Sequence, residues 1–255
     1  MPTTLVVLAH PDRRSFNAAW AYATVQAAKD AGHEVLVSDL YALGFDPVEG
    51  PHHYADWPTD TPFDPLKVQE QSAAKGVLPD DVQAEIAKVR RADRIIFHFP
   101  IWWFSPPAIL KGWFERVLVH GALHRVDARF DAGLCSDKTA LFCVTTGAKD
   151  AECDFNGKEG DLALLLWPVA YTLRYLGFAV LQPVTVHGVH GYHEGQDAAD
   201  LQRRLQVVLA GQDAVIAGFE QRPRLAFNAD SDFDQEGRLR ADRPSYTPFI
   251  RHQKD

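Results

Sequence analysis

Apolar positions along the chain follow two periods, one suited to covered strands and one to amphipathic helices. Residues 4–9, "TLVVLA", form a short unbroken apolar run, as in a strand buried on both faces. Residues 16–31 then carry apolar side chains at helical spacing and stop at Gly32, a plausible C-cap. "HEVLVSDL" reads as a second strand, which completes a βαβ unit with parallel strands and a right-handed crossover. The pattern repeats with a helix in "DDVQAEIAKVRRA", a third strand in "RIIFHF" and a helix in "PAILKGWFERVL". A fourth strand, "KTALFCVTT", precedes the helix "DLALLLWPVAYTLRYLGF", in which Pro168 predicts a kink. "AVLQPVTVHGV" predicts one fifth strand, and "DAADLQRRLQVVLAGQDAVIAGFEQ" one final helix.

Two stretches fall outside this rhythm. Residues 44–79 are rich in Pro, Asp, Thr and His and read as a long loop, a length usually reserved for function or partner contacts. Residues 221–255 are polar and irregular, and predict an arm lying on the domain or on another subunit. The fold expectation is therefore α/β: a doubly wound, parallel, five-stranded sheet with helices on both faces. A domain over residues 1–220 would be followed by the arm at 221–255.

Composition narrows the partners. Among 255 residues, 46% are hydrophobic and 24% charged, and the formal net charge is -8 without a basic cluster. Nucleic acid and anionic membrane surfaces are thereby disfavoured, while small neutral or hydrophobic ligands stay open. Cys135, Cys143 and Cys153 make neither a CxxC pair nor an even set, which fits a reducing, cytoplasmic setting. The opening segment has no basic stretch ahead of its short apolar run, unlike a signal peptide. The longest apolar segment falls short of the ~20 residues that cross a bilayer, so no membrane insertion is expected.

Ligands in such sheets bind beyond the carboxyl ends of the strands near the topological switch point, which directs attention to the loops after strands 1, 3 and 4. After strand 1, "HPDRRSFNAAW" is neither a P-loop nor a GxGxxG turn. It does place Ser15, Phe16 and Asn17 at a helix start, where free N–H groups and the dipole suit a phosphate, with His10 as a further donor. Ser15 is equally compatible with a plain N-cap. After strand 3, Pro100 ends the strand, and Ile101, Trp102, Trp103 and Phe104 occupy the edge where a ligand would lie. Their amides suit the rim of a planar heterocycle and an indole can cover its face, with Trp103 favoured as the pocket wall. Trp113 and Phe114, further along, read as core residues or a subunit contact. After strand 4, Thr145, Thr146, Gly147 and Ala148 supply hydroxyls, amides and a close backbone approach. Together these features fit a flavin nucleotide, a flat redox ring with a phosphate tail.

The segments "LAHPDRRSFNAAW", "FPIWWFSPPAILKGWFERV", "TTGA" and "LLLWPVAYTLRYLGFAVLQPV" resemble the flavodoxin-like NAD(P)H:quinone oxidoreductases of the DT-diaphorase type, over residues 3 to 185. The resemblance implies a homodimer carrying FAD (FMN less so), with a hydride passed from NAD(P)H to the flavin and then to a quinone by a ping-pong scheme. It puts His10, Ser15, Phe16 and Asn17 at the pyrophosphate, and Ile101, Trp102, Trp103, Phe104, Thr145, Thr146, Gly147 and Ala148 beside the ring. It also implies that Asp64 and Pro65 could reach a partner's cofactor. The chain departs from the family where a tyrosine and a histidine stabilise the reduced ring: counting places Cys153 and Glu159 there. Backbone amides of Gly147 and Ala148 are then expected to carry that role, with Glu159 third. The two tyrosines flanking the family's quinone pocket correspond to His124 and Val126, so Trp103, His124, Val126 and Cys153 are the residues expected around the acceptor. Two other readings follow the same resemblance: an azo- or nitro-reductase, and a flavin-binding regulatory subunit of a potassium-efflux system.

No metal site is expected. His187, His190 and His193 in "HGVHGYH", and the pair in "PHHY", read as surface-loop histidines.

Overall fold

The computed structural model describes residues 1–252 apart from Asp56 and Thr59. The first unit is β1 (Thr3–Leu8), α1 (Phe16–Asp30) and β2 (Glu34–Asp39). α2 (Pro65–Lys75) and α3 (Asp80–Arg91) lead to β3 (Arg94–Pro100), α4 (Ala108–Val117) and β4 (Thr139–Thr145). α5 (Leu162–Tyr175), β5 (Ala179–Val180), β6 (Val184–Val186), α6 (Gly195–Ala210) and α7 (Gln212–Ala217) complete the order.

The sheet runs β2-β1-β3-β4-β5 with every pairing parallel, and β6 also lies on β4. Every residue of β1 is buried, the reason its apolar run is unbroken, whereas β2 at the edge is largely half-exposed. Alternate residues of the central strands feed opposite faces. Leu5, Val7, Phe97, Phe99 and Phe142 pack with Trp113 and the α3–α5 side. Ile96, Leu141 and Cys143 pack with Trp20 and the α6–α7 side. The chain turns from β1 outward to β2, then returns to the other side of β1 for β3. The carboxyl ends of β1, β3 and β4 are thus adjacent at the switch point, where the fold leaves an open crevice.

The structure changes three sequence expectations. Within residues 44–79 lies α2, capped by Asp64, whose carboxylate accepts from the Lys67 N–H at 3.3 Å, with Pro65 at its first position. Its buried positions are Val68, Gln69 and Ser72, two of them polar, so the segment shows no apolar stripe. The expected single fifth strand is interrupted between β5 and β6. Ala179 faces Thr139 but Val184 faces Cys143, so one extra residue is accommodated at the stretch holding Pro183, which cannot donate to a ladder. The expected single final helix breaks at Gly211, and Gln212 turns inward to accept from Thr24 Oγ1 at 2.9 Å.

The chain beyond residue 220 folds back on the sheet edge. Leu225 N–H donates to Val180 O and Gln182 N–H to Pro223 O, both at 2.8 Å, closing an edge that would otherwise expose unpaired backbone. Further on, Phe249 stacks on Trp167 of α5 with centroids 4.6 Å apart. Gln253, Lys254 and Asp255 lie outside the described residues.

Candidate functional site

The three loops at the carboxyl edge are tied to one another. Ile101 N–H donates to Thr145 O at 2.8 Å, joining the loop after β3 to the end of β4. The His10 ring lies 5.7 Å from that of Trp102, joining the loops after β1 and β3. Thr146 N–H donates to Val186 O, and Val189 N–H returns a bond to Thr146 O, fixing the loop after β4 to the end of β6. Their arrangement is a property of the sheet rather than of any single turn.

After β3, Trp102 and Ser105 exchange backbone hydrogen bonds at 2.9 and 3.2 Å around Trp103 and Phe104, whose φ angles are 49° and 60°. Two positive φ values inside a two-residue hairpin are the signature of a type I′ turn, normally filled by Asn and Gly. Bulky residues there cost of order 1–3 kcal/mol each, and such strain gathers at functional sites. Trp103 is 93% exposed, so packing within this chain does not account for the choice. The N–H groups of both residues have no hydrogen-bond partner among the described residues.

The loop after β1 opens onto α1. Ser15 caps the helix by accepting from Ala18 N–H at 3.2 Å, which supports the plain N-cap reading of that side chain. Phe16 and Asn17 N–H groups have no partner among the described residues and sit at the positive end of the dipole. Asn17, only 4% exposed, donates its side-chain amide to Thr145 Oγ1 at 2.9 Å, while its Oδ1 is buried without a donor among the described residues. Partial burial lowers the His10 pKa, only partly opposed by Asp12.

Next to these loops a cavity of about 250 Å³ is lined by Ile101, Trp103, Phe104, Gly147, Cys153 and Glu159, among others. Neither Gly147 nor Ala148 uses its N–H in any hydrogen bond among the described residues, and a side chain on Gly147 would meet open space. An apolar slot, two unused amides beside it and an unpaired anion-type helix start fit a flat ring with a phosphate tail. These residues would hold a flavin.

Sequence reasoning passed over three contributors. Leu162 and Leu165, at the start of α5, close the cavity floor. His187, a surface-loop histidine by sequence, lies with its Nδ1 2.9 Å from Thr146 Oγ1 and its Nε2 3.3 Å from Asp150. Thr146 gives its hydroxyl proton to Ala148 O at 2.8 Å, which leaves its oxygen to accept from His187. The signal was available, since His187 directly follows a strand that ends beside β4. Cys153 is 8% exposed, and burial pushes its thiol pKa up, so it is no ready nucleophile.

His124 and Val126, expected at the acceptor pocket, do not join this cavity. α4 carries the chain about 15 Å back from the carboxyl edge before they are reached. His124 packs instead on Tyr175, with centroids 5.5 Å apart, and Val126 is 60% exposed. His190 and His193 stack on each other at 3.9 Å rather than joining His187 in a ligand set. Asp64 and Pro65 serve as the cap and first residue of α2.

A three-layer α/β sheet ordered 2-1-3-4-5 with its crevice beyond β1, β3 and β4 defines a flavodoxin-like protein, and the model of a flavodoxin-like-fold family matches residues 2–209. The rat NAD(P)H dehydrogenase [quinone] 1 is 39% identical over 232 residues, covering 90% of this chain and 82% of that protein. The mouse ribosyldihydronicotinamide dehydrogenase [quinone] is 36% identical, covering 72% of this chain and 81% of its own length. A solved structure of a proposed quinone reductase from Klebsiella pneumoniae superposes with a TM-score of 0.81 at 30% identity, covering 94% of each chain. The chain belongs to the flavodoxin-like NAD(P)H:quinone oxidoreductase family.

Proposed function

We propose that the protein is an NAD(P)H dehydrogenase that reduces quinones with FAD as its cofactor. The observation that carries this reading is the union of the strained Trp103–Phe104 turn and the unused Gly147 and Ala148 amides around one apolar cavity. A bound flavin would supply the redox chemistry, taking a hydride from NAD(P)H and passing it to the acceptor in a ping-pong sequence.

The residues of the chain do the rest. Phe16 and Asn17 amides, with the helix dipole behind them, receive the phosphate end. Ile101, Trp102, Trp103 and Phe104 line the edge of the ring, and Trp103 walls the space where nicotinamide and acceptor stack in turn. The Gly147 and Ala148 amides face the position where negative charge develops. Thr146, braced by His187, fixes the direction of that turn.

We further infer a homodimer working in a reducing compartment. The groove between α4 and α5, lined by Phe104, Phe114, Leu165, Pro168 and Val169, leaves an apolar stripe open in the single chain. His124 and Val126 stand too far along the chain from the cavity to serve it, but a second copy can present them to it. The three cysteines are free and buried, and no described helix is long and apolar enough to cross a membrane.

The test is to release and identify the bound cofactor, then titrate the loaded protein anaerobically with NADPH, and to measure mass in solution by light scattering. Stoichiometric FAD, bleached by NADPH and reoxidised by a quinone, in a particle of twice the chain mass is expected. Failure to bind or be reconstituted with any flavin overturns the reading; reduction of azo dyes but not quinones overturns the acceptor.

A further inference from the structure

We propose that Asp46, His52 and His53 form a binding site for a zinc-type divalent ion on the segment between β2 and α2, sharing no residue with the cofactor cavity. One ligand atom from each side chain lies within 4.8 Å of the others, the only such gathering of His, Cys, Asp or Glu among the described residues. Asp46 Oδ2 is 3.3 Å from His52 Nε2 and 3.5 Å from His53 Nε2. Donors bound at about 2.0–2.1 Å in a tetrahedral shell stand about 3.3–3.4 Å apart, so the Asp46–His52 separation matches a shared ion and small ring movements would bring His53 to the same spacing. Adjacent residues in extended chain point apart. Here a single 3₁₀ turn at Pro51–His53 brings the two rings to 3.9 Å between centroids, with both Nε2 atoms on one carboxylate oxygen.

The ligands are held in place by the domain. The fully buried Arg116 donates to Asp46 O at 2.7 Å, and its guanidinium lies 5.1 Å over the ring of Phe45. Gly112, inside α4, lets the segment seat directly on the helix: a Cβ there would stand 2.1 Å from Pro47 O. At Gly50 a Cβ would come within 2.9 Å of His52 Nδ1, so the absent side chain leaves room for that ring. His53 is 13% exposed at its side chain, and its Nε2 lies 2.9 Å from Val48 O, a contact that holds the ring when no ion is bound. Two imidazoles with one carboxylate select zinc, cobalt or nickel over calcium and magnesium, which require oxygen shells. Three protein donors leave a position for water.

The experiment uses the full chain, stripped with a chelator and titrated with zinc by calorimetry and with cobalt(II) by visible absorption. One ion per chain is expected, with a cobalt spectrum of low coordination number. Asp46→Asn, His52→Ala and His53→Ala should each lower affinity by at least about tenfold. The His190→Ala/His193→Ala double variant should bind as the parent does. His52 is 56% exposed at its side chain, so His52→Ala should melt with the parent in the ion-free state and report ligation rather than folding. Absence of stoichiometric binding overturns the site. So does parent-like affinity in the three ligand variants, or binding lost only with His190 and His193. Flavin content is recorded alongside, and its presence or absence leaves the metal result independent of the proposed redox function.

Discussion

Asn17 reaches from the first turn of α1 to Thr145 at the end of β4, donating its side-chain amide to the threonine hydroxyl at 2.9 Å. The bond crosses β3 in the sheet order and locks the anion end of the crevice to its ring end.

Replacing Asn17 with Asp should therefore harm the site twice. It puts a negative charge where a phosphate is to sit, and it removes the donor to Thr145. Flavin affinity, measured by fluorescence quenching on the cofactor-free protein, should fall by more than tenfold, corresponding to at least about 1.4 kcal/mol. Thr145→Val should have a smaller effect of the same sign. Equal flavin affinity in Asn17→Asp and the parent would remove the α1 start from the binding site.

Trp103 sets stability against activity. Asn tolerates a positive φ far better than Trp, and an indole that is 93% exposed forfeits little packing. Trp103→Asn should thus keep or raise stability, by up to about 1 kcal/mol in urea unfolding of the cofactor-free chain, while quinone turnover drops by tenfold or more. A clear loss of stability would mean that the turn is not strained.

His98 should make the protein sensitive to mild acid. It is fully buried, its ring nitrogens have no partners among the described residues, and burial lowers its pKa to about 3. The unfolded chain takes up a proton near pH 6.5 and the folded chain does not. The stability that a neutral His98 provides is complete above pH 6.5 and declines by about 1.4 kcal/mol per pH unit from there towards the folded value. His98→Phe should flatten that part of the stability profile, as followed by urea unfolding at pH 7, 6 and 5. An unchanged slope would assign the acid sensitivity to other groups.

Gly112 is costly by helix propensity but required by packing. A methyl group there would stand 2.1 Å from Pro47 O, a backbone atom that cannot rotate away. Gly112→Ala should destabilise by about 1–3 kcal/mol despite its better helix propensity, visible as a lower midpoint in denaturant. A stabilising outcome would show that the segment at Pro47 is free to move off α4.

Much of this was legible from the chain alone, for identifiable reasons. The buried strands are unbroken apolar runs because both faces are covered, and the aromatic cluster after Pro100 is conspicuous because loops seldom carry such residues. α2 was illegible because two of its three buried residues, Gln69 and Ser72, are polar, and Gln69 donates to Glu49 and to Glu115 O rather than adding apolar surface. The break at Pro183 was masked by the apolar residues Val180, Leu181, Val184 and Val186 around it, although a residue without an N–H cannot continue a paired strand.

By itself the sequence determined the layered α/β order, the three loops that face the crevice and the residue types that suit a flavin, since these depend on local periodicity and on strand ends. Only the tertiary structure decided which groups meet. It paired His187 with Thr146, sent His124 and Val126 away from the cavity in their own chain, and brought Asp46 against His52 and His53. Those outcomes rest on register, helix length and backbone approach between segments far apart in the chain, which no local pattern encodes.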